Sequence, residues 1–240
     1  MFWKKWWNGC LDLLFPAPPR CFFCQRTLSG QAQVCLDCLR QISHSEGPLC
    51  RRCGRPLLGE GPCLQCAGYS WAFSQARSVG PYSGELRLAI HRFKFHNHRA
   101  SARLLARLMF QSIEAGWWTE VHGLVPVPLH AERLRQRGYN QAELLAYELS
   151  LLSHRPLLKL LERRFSTPAQ SGLSQHQRRQ NMRGAFRVVP DRQTQLAGKC
   201  LLLVDDVLTT GSTLDACARA LRQAGCEEVR AVTVAITNRE

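Results

Sequence analysis

Apolar positions change period several times along this chain, and each change marks an element. Gln75 to Tyr82 reads as a strand, after which Leu86, Ile90 and Phe93 return at four and seven residues, the spacing of a helix face. A second helix spans Ser101 to Ile113, with Leu104, Leu105, Leu108 and Met109 expected inward. Val121 to Pro128 (VHGLVPVP) reads as a buried strand, and Asn140 to Leu152 as an amphipathic helix with Asn140 as N-cap. Cys200 to Val204 is an unbroken apolar run. After a polar turn, Leu214, Ala218 and Leu221 mark a helix that Gly225 stops, and strand Val229 to Ile236 follows. Strand, helix and strand in that order imply a parallel sheet flanked by helices, an α/β domain.

Two stretches depart from this pattern. Phe2, Trp3, Trp6, Trp7, Cys10, Leu11 and Leu14 recur at helical spacing beside Lys4 and Lys5, until Pro16, Pro18 and Pro19 end the pattern. An amphipathic helix over residues 1–17 could dock on its own domain or lie on a membrane surface, so a peripheral membrane contact stays open. Arg163 to Arg187 holds six arginines, several glutamines and no acidic residue, with little apolar period. A long mobile loop is expected there, of a length that in compact domains usually serves as a lid.

Between Cys21 and Cys66 eight cysteines replace the apolar runs, and a segment this short cannot build an ordinary core. They form four CxxC pairs: Cys21/Cys24, Cys35/Cys38, Cys50/Cys53 and Cys63/Cys66. Each CxxC turn puts two sulfurs on one side of a knuckle, and two knuckles complete a tetrahedron, so the spacing predicts two structural Zn2+ ions. Metal binding then supplies folding energy, about 10 kcal/mol or more per site. Sequential pairing closes the shorter loops, although an interleaved arrangement and an iron–sulfur cluster use the same ligands. Cys10, Cys200, Cys217 and Cys226 have no partner at ligand spacing and read as small core residues.

Composition fixes the scale. A chain of 240 residues, 45% hydrophobic, can fill one core and carry an appendage. The expected division is the amphipathic helix over 1–17, a double zinc ribbon over 18–68 and an α/β domain over 69–240. Lys and Arg number 32 against 18 acidic residues, a formal charge of +14. Two zinc–thiolate clusters reduce this to roughly +10, still a surplus that favours polyanions. The first residues lack the core and cleavage site of a signal peptide, and no run reaches the roughly 20 apolar residues of a membrane span, so the chain reads as cytoplasmic with reduced thiols.

The chemistry concentrates in Cys200 to Thr213, CLLLVDDVLTTGST. Thr209, Thr210, Gly211, Ser212 and Thr213 present consecutive amides and several hydroxyls at a helix N-terminus, an anion cradle sized for a terminal phosphate. Asp205 and Asp206 repel an anion but accept hydrogen bonds from vicinal hydroxyls such as those of ribose, or bind Mg2+. The chain has neither GxxxxGK[ST] nor GxGxxG, which removes P-loop and dinucleotide readings.

LLLVDDVLTTGST is similar, position by position, to the phosphoribosylpyrophosphate (PRPP) signature of type I phosphoribosyltransferases. FKFHNH near Lys94, VPVPLHAERLRQRGYNQAELLA from Val125 and TPAQSGLSQHQRRQNMRGAF from Thr167 extend the likeness over nearly the whole chain. Together these blocks resemble the ComF family of competence and DNA-utilisation proteins, which join a double zinc ribbon to a type I phosphoribosyltransferase-like domain. The resemblance implies that Asp205 and Asp206 carry the catalytic and ribose-binding role, that Thr209 to Thr213 hold the 5-phosphate, and that Pro128, Leu129 and His130 form the pyrophosphate loop. Arg163 to Arg187 is then the lid, its arginines suited to pyrophosphate, with Mg2+ bound alongside PRPP. For Lys94 a solvated surface lysine is the simpler reading, and for His130 a loop residue rather than an acid or base.

Two functions fit these residues. One is phosphoribosyl transfer, with Mg2+ and lid arginines stabilising the departing pyrophosphate. The other is a PRPP-sensing adapter without catalysis, binding single-stranded DNA or a DNA-uptake helicase. The resemblance favours a place in DNA uptake or utilisation, and the basic charge predicts weak, salt-dependent binding of single-stranded DNA.

Overall fold

The computed structural model describes residues 19–30, 32–43, 47–57, 59, 63–95, 99–165, 182 and 184–237. The amphipathic helix expected over 1–17, Cys10, and residues 166–181 and 183 of the arginine-rich segment lie outside the described residues. In chain order the helices are α1 (Leu36–Ile42), α2 (Gly84–Phe95), α3 (Ser101–Gln111), α4 (Ala115–Glu120), α5 (Ala131–Arg137), α6 (Gln141–Ser153) and α7 (Ser212–Gln223). The strands are β1 (Ala76–Pro81), β2 (Gly123–Pro126), β3 (Leu161–Arg163), β4 (Phe186–Val188), β5 (Cys200–Leu208) and β6 (Glu228–Ile236).

Four strands form a parallel sheet in the order β1-β6-β5-β2. Its centre is apolar on both faces, which is why β5 and β6 read as unbroken hydrophobic runs. Side chains alternate across the sheet: Leu202, Val204, Val232 and Val234 meet a layer built from α2, α3 and α6, including Phe93, Leu105 and Leu149. Leu201, Leu203 and Ala231 meet α7 through Leu214, Ala218 and Leu221, together with Phe186 and Val188 of β4. Leu104, Leu105, Leu108 and Met109 face inward as expected, and Cys200, Cys217 and Cys226 are buried core thiols.

Three features differ from the sequence reading. β5 continues past Val204 to Leu208, because β6 supplies partners as far as Leu208↔Ile236, so Asp205 and Asp206 belong to the strand rather than to the turn. Helix α5 was not signalled because none of its side chains is buried and it has no apolar period; His130 Nδ1 accepts from the Glu132 amide at its start, and Gly138 ends it in a left-handed conformation. The Arg163–Arg187 segment is not loop at its ends: β3 and β4 pair antiparallel, Arg163 opposite Phe186, with Phe186 and Val188 buried in the core.

The cysteine-rich segment shares its core with the domain. Phe23, Val34, Cys38 and Ile42 pack in the same cluster as α2 and α3. Ile42 lies so close to β1 that a Cβ on Gly80 would sit 1.6 Å from its carbonyl oxygen, so that strand position admits only glycine. The first knuckle of each ribbon repeats the same geometry. The Cys21 amide bonds the Arg26 carbonyl as the Cys50 amide bonds that of Arg55, and Gln25 and Gly54 follow the second cysteine with φ near +63° and +72°. Among the described residues no helix is long and apolar enough to cross a membrane.

Candidate functional site

Parallel strands deliver β2 and β5 to the same edge of the sheet, and the chemistry gathers at their carboxyl ends. After Leu208 the chain turns through Thr209 and Thr210 to Gly211, whose φ of +82° sets the start of the 12-residue helix α7. That turn requires glycine twice over: the backbone is left-handed, and a Cβ would lie 2.7 Å from the ring of Trp71. The four hydroxyls divide into two roles. Thr210 and Ser212 are buried and share a 2.9 Å hydrogen bond, which stiffens the turn, while Thr209 and Thr213 keep solvent access beside the helix's first amides. Gly211→Ala is therefore expected to lower Tm by several degrees, which a melting curve checks.

Asp205 and Asp206 stand one residue apart in an extended strand and so leave it on opposite faces. Asp206 turns toward the α2 layer and pairs with Lys94 Nζ at 2.9 Å, both side chains largely shielded from solvent. Lys94 is thus a member of the site and not a solvated surface lysine. The likeness around FKFHNH was the signal that could have found it. Asp205 faces the α7 side, within electrostatic reach of Arg163 and Cys217, and accepts a 2.8 Å hydrogen bond from the Asp206 amide. Burial, then the neighbouring Asp206 charge, pushes its carboxyl up to about 7, against the opposing pull of that amide, Lys94 and Arg163.

Pro128, Leu129 and His130 follow β2 at the same edge, each partly exposed. Asn140 fastens this loop: its side chain caps α6 through the Ala142 amide and donates to the Val127 carbonyl, each near 3 Å. His130 serves as the N-cap of α5, in keeping with a loop role.

Behind the Thr209–Thr213 turn stands the second ribbon. Buried Asp215 in the first turns of α7 accepts from the Tyr69 hydroxyl, the Ala72 amide and Arg219, which binds residues 69–72 to the helix. Arg52 donates to the Trp71 carbonyl, and the Ala76 amide returns a bond to Arg52. Arg55 is buried and donates to the carbonyls of Thr209 and Thr237. The bonds of Arg55 to Thr209 and Thr237, and those of Asp215 to Tyr69 and Ala72, leave no local trace in the sequence, since their partners lie 143 to 182 residues apart.

The eight CxxC sulfurs gather sequentially into Cys21, Cys24, Cys35, Cys38 and Cys50, Cys53, Cys63, Cys66, with all ligand atoms of each set within 4.8 Å of one another. Sulfur separations of 3.8, 3.8 and 3.6 Å match a tetrahedron with Zn–S bonds of about 2.3 Å. The Cys21 thiol loses to burial, but amide donation from Cys35, Cys24 and Phe23 outweighs that and brings it to about 6, ready to ligate as thiolate. Burial pushes Cys53 up to about 11, and the Arg55 charge works against the rise. The two four-sulfur sets fit structural zinc.

Residues 10–67 match the family model of the double zinc ribbon domain, and residues 92–240 that of the phosphoribosyl transferase domain. Fold and site thus define a zinc-ribbon protein built on a phosphoribosyltransferase-type domain. Competence protein F of Haemophilus influenzae is 34% identical over 218 residues, covering 88% of this chain and 94% of that protein. Competence protein ComFC of Bacillus subtilis is 31% identical, covering 82% and 81%, and the DNA utilization protein YhgH of Escherichia coli O157:H7 is 30% identical, covering 90% and 96%. The chain belongs to the ComF family. A solved structure titled as the allosteric regulatory enzyme of purine biosynthesis aligns over 56% of this chain and 25% of that one, at 21% identity and a TM-score of 0.36, too slight a likeness to add anything.

Proposed function

We propose that this sheet edge binds the ribose 5-phosphate part of PRPP, and that the chain works in competence or the use of DNA, as the names of its relatives suggest. The observation that carries this reading is the left-handed turn at Gly211, which puts accessible Thr209 and Thr213 hydroxyls and the first amides of α7 directly after a strand bearing two carboxylates. The phosphate sits on the amides and the ribose hydroxyls donate to the aspartates. Lys94 and Arg163 stand beside the carboxylates as cations able to reach phosphate oxygens. Asp205 and Asp206 supply the oxygen donors that Mg2+ prefers, and a bound ion would offset the diphosphate charge. Calorimetric titration with ribose 5-phosphate, and with PRPP with and without Mg2+, tests the binding. Pyrophosphate release, assayed with bases and with single-stranded DNA, then separates transfer from sensing; a protein that binds none of these ligands overturns the reading.

The position of Asp205 adds a pH signature. A ribose hydroxyl donates to the ionised carboxyl, so affinity for ribose 5-phosphate should rise as pH passes from 6 to 8, with proton uptake by the buffer. The ligand's own phosphate titrates near pH 6, and Asp205→Asn, which keeps only that component, isolates the difference. Stability runs the other way. A carboxyl raised in the fold contributes most below the ordinary carboxylate range and loses that contribution as pH climbs through about 7.

A further inference from the structure

The two ribbons carry an arginine at the same place in the first knuckle, Arg26 and Arg55, each giving its carbonyl to the first cysteine's amide. Their side chains diverge. The Arg26 side chain is 67% exposed and pairs with the similarly open Asp37 at 2.8 Å, whereas Arg55 is 4% exposed and points into the α/β domain. A zinc knuckle therefore does not itself require a buried arginine.

Arg55 reaches the place where the sheet hands over to the Thr209–Thr213 turn. Its Nε donates to the Thr237 carbonyl at 3.2 Å, and a terminal nitrogen donates to the Thr209 carbonyl. The Thr237 hydroxyl bonds the same Thr209 carbonyl at 3.3 Å, while the Thr237 amide bonds Leu208 at 3.0 Å. Thr209's carbonyl is thus held from two directions. A trans peptide is planar, so its N–H opposes its C=O: fixing this carbonyl toward the ribbon turns the Thr210 amide away from it.

The charge of Arg55 also needs an answer. Burying a guanidinium without an opposing charge is costly, and among the described residues none of the ion pairs involves Arg55. A counter-charge within electrostatic reach is Cys53 of the second cysteine cluster, two residues back along the knuckle, where four thiolates around Zn2+ would carry a net negative charge. One side chain joins a metal cluster to a backbone turn.

We propose that Arg55 is a positioning residue, through which the second zinc ribbon fixes the Thr209–Thr213 turn in its anion-binding form. What the turn binds rests on the reading given above; the strut rests on geometry alone. The test compares the full-length wild type with Arg55→Ala, Arg55→Lys and Arg26→Ala, each assayed for zinc. Amide hydrogen exchange is followed over residues 209–214, and ribose 5-phosphate is titrated. Arg55→Ala should speed exchange there at least about tenfold and weaken the sugar phosphate by a similar factor, the scale of losing charged hydrogen bonds, while Arg26→Ala changes neither. Arg55→Lys should fall between them, because one ammonium cannot span two carbonyls as the guanidinium fork does. Exchange in zinc-loaded Arg55→Ala that equals that of Arg26→Ala overturns the proposal. Should Arg55→Ala lose its zinc, Arg55→Lys decides, and wild-type exchange in that variant overturns it equally. Faster exchange in a protein whose wild type binds no ribose 5-phosphate supports the strut and removes only the proposed ligand.

Discussion

Replacing Asp205 and Asp206 together by Asn is expected to weaken binding of Mg-PRPP by on the order of 100-fold or more while leaving the fold intact. Amides still accept hydrogen bonds from ribose, but they lose the charge that strengthens each one and the affinity for Mg2+. The cost to folding should be small because two effects oppose. Asn at 205 relieves a carboxyl that burial and its neighbour disfavour when ionised, and Asn at 206 leaves largely shielded Lys94 without its carboxylate. Tm should therefore move by only a few degrees. If the pair merely shaped the following turn, the double variant would melt lower and bind as before. Titration beside a melting curve distinguishes the two, and unchanged affinity would sink the site assignment.

Loss of zinc should separate the ribbons by function. Cys63→Ser with Cys66→Ser empties the second cluster only, and with it the support for Arg55, Arg52 and the Trp71 stretch. Ribose 5-phosphate binding should be abolished even where the sheet survives. Cys35→Ser with Cys38→Ser empties the first cluster, whose ribbon packs on α2, α3 and Gly80 of β1. Tm should then fall steeply, since each site contributes about 10 kcal/mol or more to its own folding, while the surviving folded protein keeps affinity within about threefold. Metal analysis, melting and titration of both variants check the contrast; equal losses of affinity would contradict it.

The parts legible in the sequence were those whose reasons are local. Cysteine spacing gave the metal sets because a CxxC knuckle is complete within four residues. The run ending at Val204 and the Thr/Gly/Ser turn gave the strand-to-helix cradle because each signal sits in one short window. The support of that cradle was not readable: Arg55 to Thr209, Tyr69 to Asp215 and Trp71 to Gly211 join segments far apart in the chain. Lys94 shows the same limit from another side. A lysine late in an amphipathic helix looks solvated until the sheet brings Asp206 against it. One partial signal was present, the recurrence of CxxC followed by arginine at Arg26 and Arg55, but recurrence alone does not say which copy turns inward.

The position of β6 bears on how such a chain is made. Among the described strands it is last in chain order, yet it lies between β1 and β5 and pairs with both along most of its length. On the ribosome, β1 emerges more than a hundred residues before its neighbour and must wait with an unpaired edge, the kind of edge that invites wrong partners. The ribbons face no such delay, because every ligand they need has been synthesised before β1. Metal loading can therefore organise the cysteine-rich part of the nascent chain early, whereas the carbonyls of Thr209 and Thr237 that receive Arg55 are synthesised 154 and 182 residues after it. The Thr209–Thr213 turn thus closes against a ribbon whose cysteines left the ribosome long before it.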